Sequence, residues 1–279
     1  MNVSKREHNR LVIESTRGWV SLGLRDVWEY RELLGFLIWR EVQGVYRQTA
    51  LGMTWLFFRP LVNVILLTFV FGTIVKVPSD DVPYPLFSLA ALLPWGFFSN
   101  AVQRASRSLV DNMNVISKVY FPRLVVPIAG ATSGLLDFGA SLVILFGAMV
   151  LYRMPLRIEV VWLPFYMLVA LAFALAVGLW LATLSVKYRD VSFAVVFLLQ
   201  ALMYISPVIY PVSMVPEPFQ IIYQLNPMSG VIQGFRWSLY GSGEPPDIIF
   251  LVSIGLTVLG LISGAFYFRR TERTVVDIL

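Results

Sequence analysis

The sequence contains no cysteine and a single histidine, His8, in 279 residues. Disulfides, thiolate metal centres, cysteine nucleophiles and histidine-cluster metal sites are excluded on that ground. Lysine is scarce as well. Lys5, Lys76, Lys118 and Lys187 are the whole set, and none follows a glycine. The G-x-x-x-x-G-K-[ST] cradle for nucleotide phosphates is therefore absent, so ATP chemistry requires another chain. Charged residues make up 14% of the chain, against about 25% in soluble domains. What fills the space is apolar: 57% by the AVILMFWYC count, with a mean hydropathy of +0.72. That excess is too large for one aqueous core and points to lipid as the solvent for most of the chain. No short apolar core with a small-residue cleavage site follows the start, so no cleavable leader is expected.

Six apolar blocks are long enough to cross a hydrocarbon core of about 30 Å. They cover approximately 54–75, 86–105, 124–151, 160–186, 191–210 and 248–268. The blocks are continuously apolar, without the period-two alternation of barrel strands, so an all-α membrane protein is predicted. The basic residues give the orientation. With the N-terminus in the cytoplasm, only Lys76, Arg153, Arg157 and Arg236 of the 22 lysines and arginines fall outside. Both termini are predicted to be cytoplasmic.

Three non-spanning pieces and one intramembrane acid stand out. Over 27–46, Tyr30, Leu33, Leu34, Leu37, Ile38, Val42 and Val45 recur at helical spacing among charged residues. This predicts an amphipathic helix, either lying in the membrane interface or packed on its own protein. In the 108–123 loop, Val115, Ile116, Val119 and Tyr120 form a short apolar stripe, Asn114 can cap a helix and Pro122 can end it. Such a helix either docks a partner or rests on the membrane surface. The 211–246 stretch is apolar but broken by Pro211, Pro216, Pro218 and Asn226-Pro227. Two short helices follow, dipping into the outer leaflet or lying flat on it. Asp137 is the clearest intramembrane carboxylate, set among Gly130, Ser133, Gly134, Gly139 and Ser141 with no basic or acidic partner near it in sequence. It fits a functional acid or a buried packing contact equally. Trp95, Trp162 and Trp237 are read as interface aromatics. By position alone, Phe58, Phe69, Tyr204 and Tyr210 are candidates to line a passage, where aromatic faces suit sugar rings. No cluster of polar catalytic groups lies at membrane depth, which disfavours a membrane enzyme.

Several stretches carry a resemblance. They are Tyr46-Arg47-Gln48-Thr49-Ala50-Leu51-Gly52 with Arg59-Pro60, Val82-Pro83-Tyr84-Pro85 with Leu93-Pro94-Trp95, and Ile116-Ser117-Lys118-Val119-Tyr120-Phe121-Pro122-Arg123. Lys187-Tyr188-Arg189-Asp190, Ser206-Pro207-Val208-Ile209-Tyr210-Pro211 and Asn226-Pro227-Met228-Ser229-Gly230 complete the set. In this order and relative to six spans, the chain resembles the membrane subunit of type-2 ATP-binding-cassette polysaccharide exporters, and within that class the O-antigen exporters. Capsular polysaccharide and teichoic acid exporters are related.

The resemblance implies a cytoplasmic segment over 1–52, a six-span domain over 53–270 and a cytoplasmic tail over 271–279. It implies a homodimer in the bacterial plasma membrane with two copies of a separate ATPase, which binds the ATP and Mg. This chain itself would hold no cofactor, metal or catalytic residue. The load would be a glycan on undecaprenyl diphosphate, moved through a channel between the two copies. A coupling helix at about 112–121 would seat in the ATPase through Asn114, Val115, Ile116, Lys118, Val119, Tyr120 and Arg123. The 211–246 stretch would be a re-entrant hairpin. Arg40, Arg47 and Arg59 would lie around the cytoplasmic entrance, where a lipid diphosphate needs cations. The same architecture carrying a capsular glycan, a teichoic acid, a drug or a lipid is the alternative.

Overall fold

A computed structural model describes residues 24–46, 52–243, 245 and 247–277. The described residues are mostly helical, with no strand among them. In chain order the α-helices are α1 (Leu24–Glu29), α2 (Arg31–Tyr46), α3 (Trp55–Leu67), α4 (Tyr84–Asp111), α5 (Met113–Ile116) and α6 (Val125–Thr132). Then follow α7 (Leu135–Leu151), α8 (Leu163–Lys187), α9 (Val191–Tyr204), α10 (Glu217–Gln224), α11 (Pro227–Tyr240) and α12 (Ile248–Asp277). A π-helical stretch, Thr68–Ile74, extends α3, and a 3₁₀ turn, Ile158–Trp162, leads into α8.

Five helical segments are long and apolar enough to cross a membrane: Gly52–Ile74, Tyr84–Asp111, Val125–Leu151, Ile158–Lys187 and Ile248–Thr271. The expected span over 191–210 is shorter than predicted. α9 stops at Tyr204 after 14 residues, about 21 Å at 1.5 Å per residue. Hydropathy runs on, but Pro207 does not: a proline lacks the amide that would bond back, and it disfavours helical geometry in Ser206 before it.

α4 is the hub. It packs against α3, α6, α7, α8, α9 and α11. In its most apolar stretch 72% of the residues are buried, against 6% for Gly52–Ile74 at the periphery. Small residues let its neighbours approach. A Cβ on Gly130 would lie 3.2 Å from the Arg104 backbone, one on Gly134 would lie 3.4 Å from the Phe97 ring, and one on Gly178 would lie 2.6 Å from the Ala105 Cβ. The Gly130-x-x-x-Gly134 spacing thus presses α6 and the start of α7 onto α4, the close approach that substitutes for hydrophobic driving force between helices in lipid. Trp95, read as an interface aromatic, is instead buried in α4, nowhere near a helix end.

The α10–α11 hairpin follows local rules. Pro218 sits in the first turn of α10, and the Asn226 side chain caps α11 by accepting from the Met228 amide at 3.1 Å. Gly241 ends α11 in the left-handed region at φ +70°, where a Cβ would be strained. α11 is not a loose surface helix: it packs against α4, α8 and α12. A Cβ on Gly230 would overlap the Phe250 ring, and one on Gly234 would overlap Tyr166. Gly234→Val is therefore expected to lower thermal stability by about 1–3 kcal/mol, the range for overpacked cores. Gly139→Ala, where a Cβ meets nothing within 4 Å, should leave the melting temperature unchanged or slightly raised. Equal melting temperatures for the Gly234 variant and wild type would contradict this packing.

Candidate functional site

The loop after α4 is built in two halves. Asn112, not Asn114, occupies the cap position, and α5 begins at Met113. Asn112 makes no capping bond. Its side-chain nitrogen donates to the Ser108 carbonyl at 2.8 Å, and its oxygen accepts from the Arg40 guanidinium. Asn114 therefore lies inside the single turn of α5, and its side chain is exposed. The predicted apolar stripe divides because α5 ends after one turn. Ile116 is buried with Leu37, Leu109, Phe121, Leu124 and Val125, and Val115 packs on that cluster. Val119 and Tyr120 point away, 57% and 79% exposed, beside exposed Lys118. Arg123 is half-buried and engaged within the chain. The result is an anchored loop with an exposed Lys118-Val119-Tyr120 tip.

α2 rests on this anchor. Its Leu37 belongs to the same cluster as Ile116, and Leu33, Leu34 and Ile38 pack alongside. One face of α2 thus covers its own protein. The other leaves Phe36 and Trp39 exposed, and Trp28 of α1 is exposed as well. Arg40 ties α2 to the loop through Asn112 and lies 3.6 Å from Glu41. Arg47 lies outside the described residues.

A cavity of about 320 Å³ opens between α3, α4 and α7. Arg59 and Asn63 border it from α3, Ser99 and Asn100 from α4, and Asp137 and Ser141 from α7. Arg59 also lies 5.8 Å from the Trp55 ring centre. Asp137 has the partner that sequence spacing did not reveal. Arg104 Nη2 donates to Asp137 Oδ2 at 3.1 Å, and Nη1 donates to Ser133 Oγ at 2.7 Å. Arg104 sits two helical turns from the end of α4, with its side chain 19% exposed. Asp137 is in the first turn of α7, where a carboxylate meets the positive helix end.

Of the four aromatic candidates, Phe58, Phe69 and Tyr204 are exposed. Phe58 and Phe69, eleven residues apart, fall on one side of the α3 helical run. Tyr210 is tied back: its hydroxyl donates to the Tyr204 carbonyl at 2.6 Å. Arg236, expected on the outer side within the second short helix, lies in α11 and is 3% exposed. Among the described residues no three His, Cys, Asp or Glu side chains gather at metal-binding distance.

A hub helix runs from one polar end of the bundle to an anchored loop at the other, and two lightly buried helices, α3 and α9, flank it. The family model of ABC-2 type transporters matches residues 32–240, from α2 through α11. The chain belongs to that family. It is similar to the O-antigen export system permease protein RfbA of Myxococcus xanthus, 28% identical over 254 residues, which is 89% of this chain and 96% of that protein. RfbA of Klebsiella pneumoniae is 26% identical over 235 residues, 82% of this chain and 90% of that one. The capsule polysaccharide export inner-membrane protein CtrC of Neisseria meningitidis is 28% identical over 257 residues, 87% and 93% of the two chains. This ABC-2 transporter chain is accordingly an integral membrane permease component. The region matched in it includes the tied α2, the Lys118-Val119-Tyr120 tip, the Arg104–Asp137 pair and buried Arg236.

Proposed function

We propose that the chain is the membrane-spanning subunit of an ATP-driven exporter in the bacterial inner membrane, and that its load is an O-antigen-type polysaccharide on undecaprenyl diphosphate. The observation that carries the reading is the likeness to an O-antigen export permease over 96% of that protein's length. Two copies form the channel, and two copies of a separate ATPase bind ATP and Mg. The ATPase seats on the Lys118-Val119-Tyr120 tip. The anchored half of the loop transmits its movement to α4 and, through Arg40 and Asn112, to α2.

Six crossings follow from α3, α4, α6 with α7, α8, α9 and α12. α9 is too short alone. The Ser206–Ile209 stretch beyond it is buried, and Asn226 of the hairpin donates to Ser206 Oγ at 2.8 Å. Irregular backbone at membrane depth is tolerated where protein covers it. A re-entrant α10–α11 hairpin supplies that cover and completes the depth α9 leaves short. Exposed Phe58, Phe69 and Tyr204 face the passage between copies, and Arg59 attracts the lipid diphosphate by charge-assisted hydrogen bonds. A capsular glycan on the same architecture is the second reading, favoured by the CtrC likeness.

The absence of cysteine makes the topology directly testable. Ser117→Cys should react with an impermeant thiol reagent only from the cytoplasmic face, and Ser213→Cys only from the opposite face. The ATPase should co-purify in equimolar amount, two of each chain. Labelling of both sites from one face, or a chain purified without any ATPase, would overturn the reading.

A further inference from the structure

A second cavity, about 380 Å³, lies at the end of the bundle opposite the 112–123 loop. Its size is within the roughly 300–1,000 Å³ of ordinary small-molecule sites. Asp80 borders it from the connection between α3 and α4, Gln220 and Gln224 from α10, Gln233 and Arg236 from α11, and Ser242 from just beyond α11. Four separate stretches of chain bring these polar groups to one cavity.

The groups are held, yet not used up. Arg236 Nε donates to the Phe87 carbonyl at 3.4 Å and Nη2 to the Val208 carbonyl at 3.3 Å, while the guanidinium lies 3.4 Å from the Phe87 ring centre. Neither bond uses Nη1, and Arg236 joins none of the ion pairs found among the described residues. The two carbonyls and the Phe87 face compensate part of the cost of burying this cation. Ser242 is buried, and its hydroxyl has no hydrogen-bond partner among the described residues. Gln220 Nε2 donates to the Val215 carbonyl at 2.8 Å and Gln233 Nε2 to the Ser229 carbonyl at 3.3 Å. Each leaves its amide oxygen as an acceptor.

The charges bordering the cavity are one acid, Asp80, and one base, Arg236. They offset each other, so an anion gains little here and a neutral ligand loses nothing. Amides, hydroxyls, a carboxylate and a guanidinium offer donors and acceptors side by side. Ring hydroxyls require that mixture, since each both donates and accepts. We infer that this cavity binds one neutral pyranose ring of the glycan as it leaves the membrane. The inference rests on the polysaccharide reading above and adds a subsite within one copy of the chain, separate from the passage between copies.

The test uses the purified transporter with its ATPase in nanodiscs. The probes are the methyl glycosides of glucose, galactose, mannose, rhamnose and N-acetylglucosamine, read by saturation-transfer NMR. At least one should bind saturably. Gln224→Leu and Gln233→Leu, each checked for unchanged elution and ATPase co-purification, should weaken it at least tenfold, and Gly139→Ala, outside both cavities, should not. No saturable binding by any of the five, or undiminished binding in both glutamine variants, would overturn the site. Failure of the export reading is seen elsewhere: cells lacking the protein would display their glycan normally, whatever the glycosides do.

Discussion

Tyr120→Ala should abolish most transport while leaving the folded subunit intact. Tyr120 is 79% exposed on a tip whose base is anchored by Ile116 and Phe121, so the fold draws little from its ring. Exposed substitutions of this kind usually change stability by no more than about 0.5 kcal/mol. An aromatic seated in a partner is another matter. It buries about 150–250 Å², and anchors of this type cost roughly 2 kcal/mol or more when truncated. At 1.4 kcal/mol per tenfold, that weakens ATPase binding by about 30-fold at each site. The measurement is ATPase co-purification and ATP-dependent export in parallel with a melting curve. Export should fall at least tenfold with the melting temperature unmoved. Lys118→Ala should have a smaller effect, because an exposed ion pair contributes about 0–1 kcal/mol. Wild-type export and co-purification in the Tyr120 variant would remove this tip from the coupling pathway.

The second large effect belongs to Arg104 and Asp137. Their side chains are 19% and 23% exposed, and they join α4 to the start of α7 beside the 320 Å³ cavity. Removing either partner leaves the other charge poorly solvated, at a cost of roughly 3–5 kcal/mol for a buried pair. Residual exposure and the Arg104 bond to Ser133 Oγ place the expected loss near the lower end. Asp137→Leu and Arg104→Leu should therefore each reduce folded yield and melting temperature severely. The double change should recover much of the loss, because an apolar pair of similar volume removes both charges from the site. Interaction energies of this kind are read from a double-mutant cycle. Simple addition of the two single losses would show that the pair is not coupled.

How much of this was legible before the structure depends on the kind of signal. Long apolar runs survive as helices, so Gly52–Ile74, Val125–Leu151 and Ile158–Lys187 lie close to the expected spans. The Asn226-Pro227 turn is written in local chemistry and acts locally. Hydropathy was the wrong guide at α9. The apolar run continued to Tyr210, while the backbone constraint of Pro207, present in the same sequence, ended the helix earlier. The Arg104–Asp137 pair joins residues 33 positions apart on two helices. No periodicity within one helix brings them together. The burial of Arg236 was equally out of reach of such patterns, although its near neighbours Gly230 and Gly234 do carry the mark of close packing. The stripe over Val115–Tyr120 assumed a helix two turns long. With one turn, its apolar residues divide between the core and the exterior.

The central claim is that this chain moves a lipid-linked polysaccharide out of the cytoplasm. The most direct test deletes it in its host, separates the membranes, and determines on which face of the plasma membrane the lipid-linked glycan lies. The account predicts glycan accumulating on the cytoplasmic face with loss from the cell surface, both reversed by the wild-type chain and not by the Tyr120→Ala variant. Normal surface glycan with no cytoplasmic accumulation would contradict it.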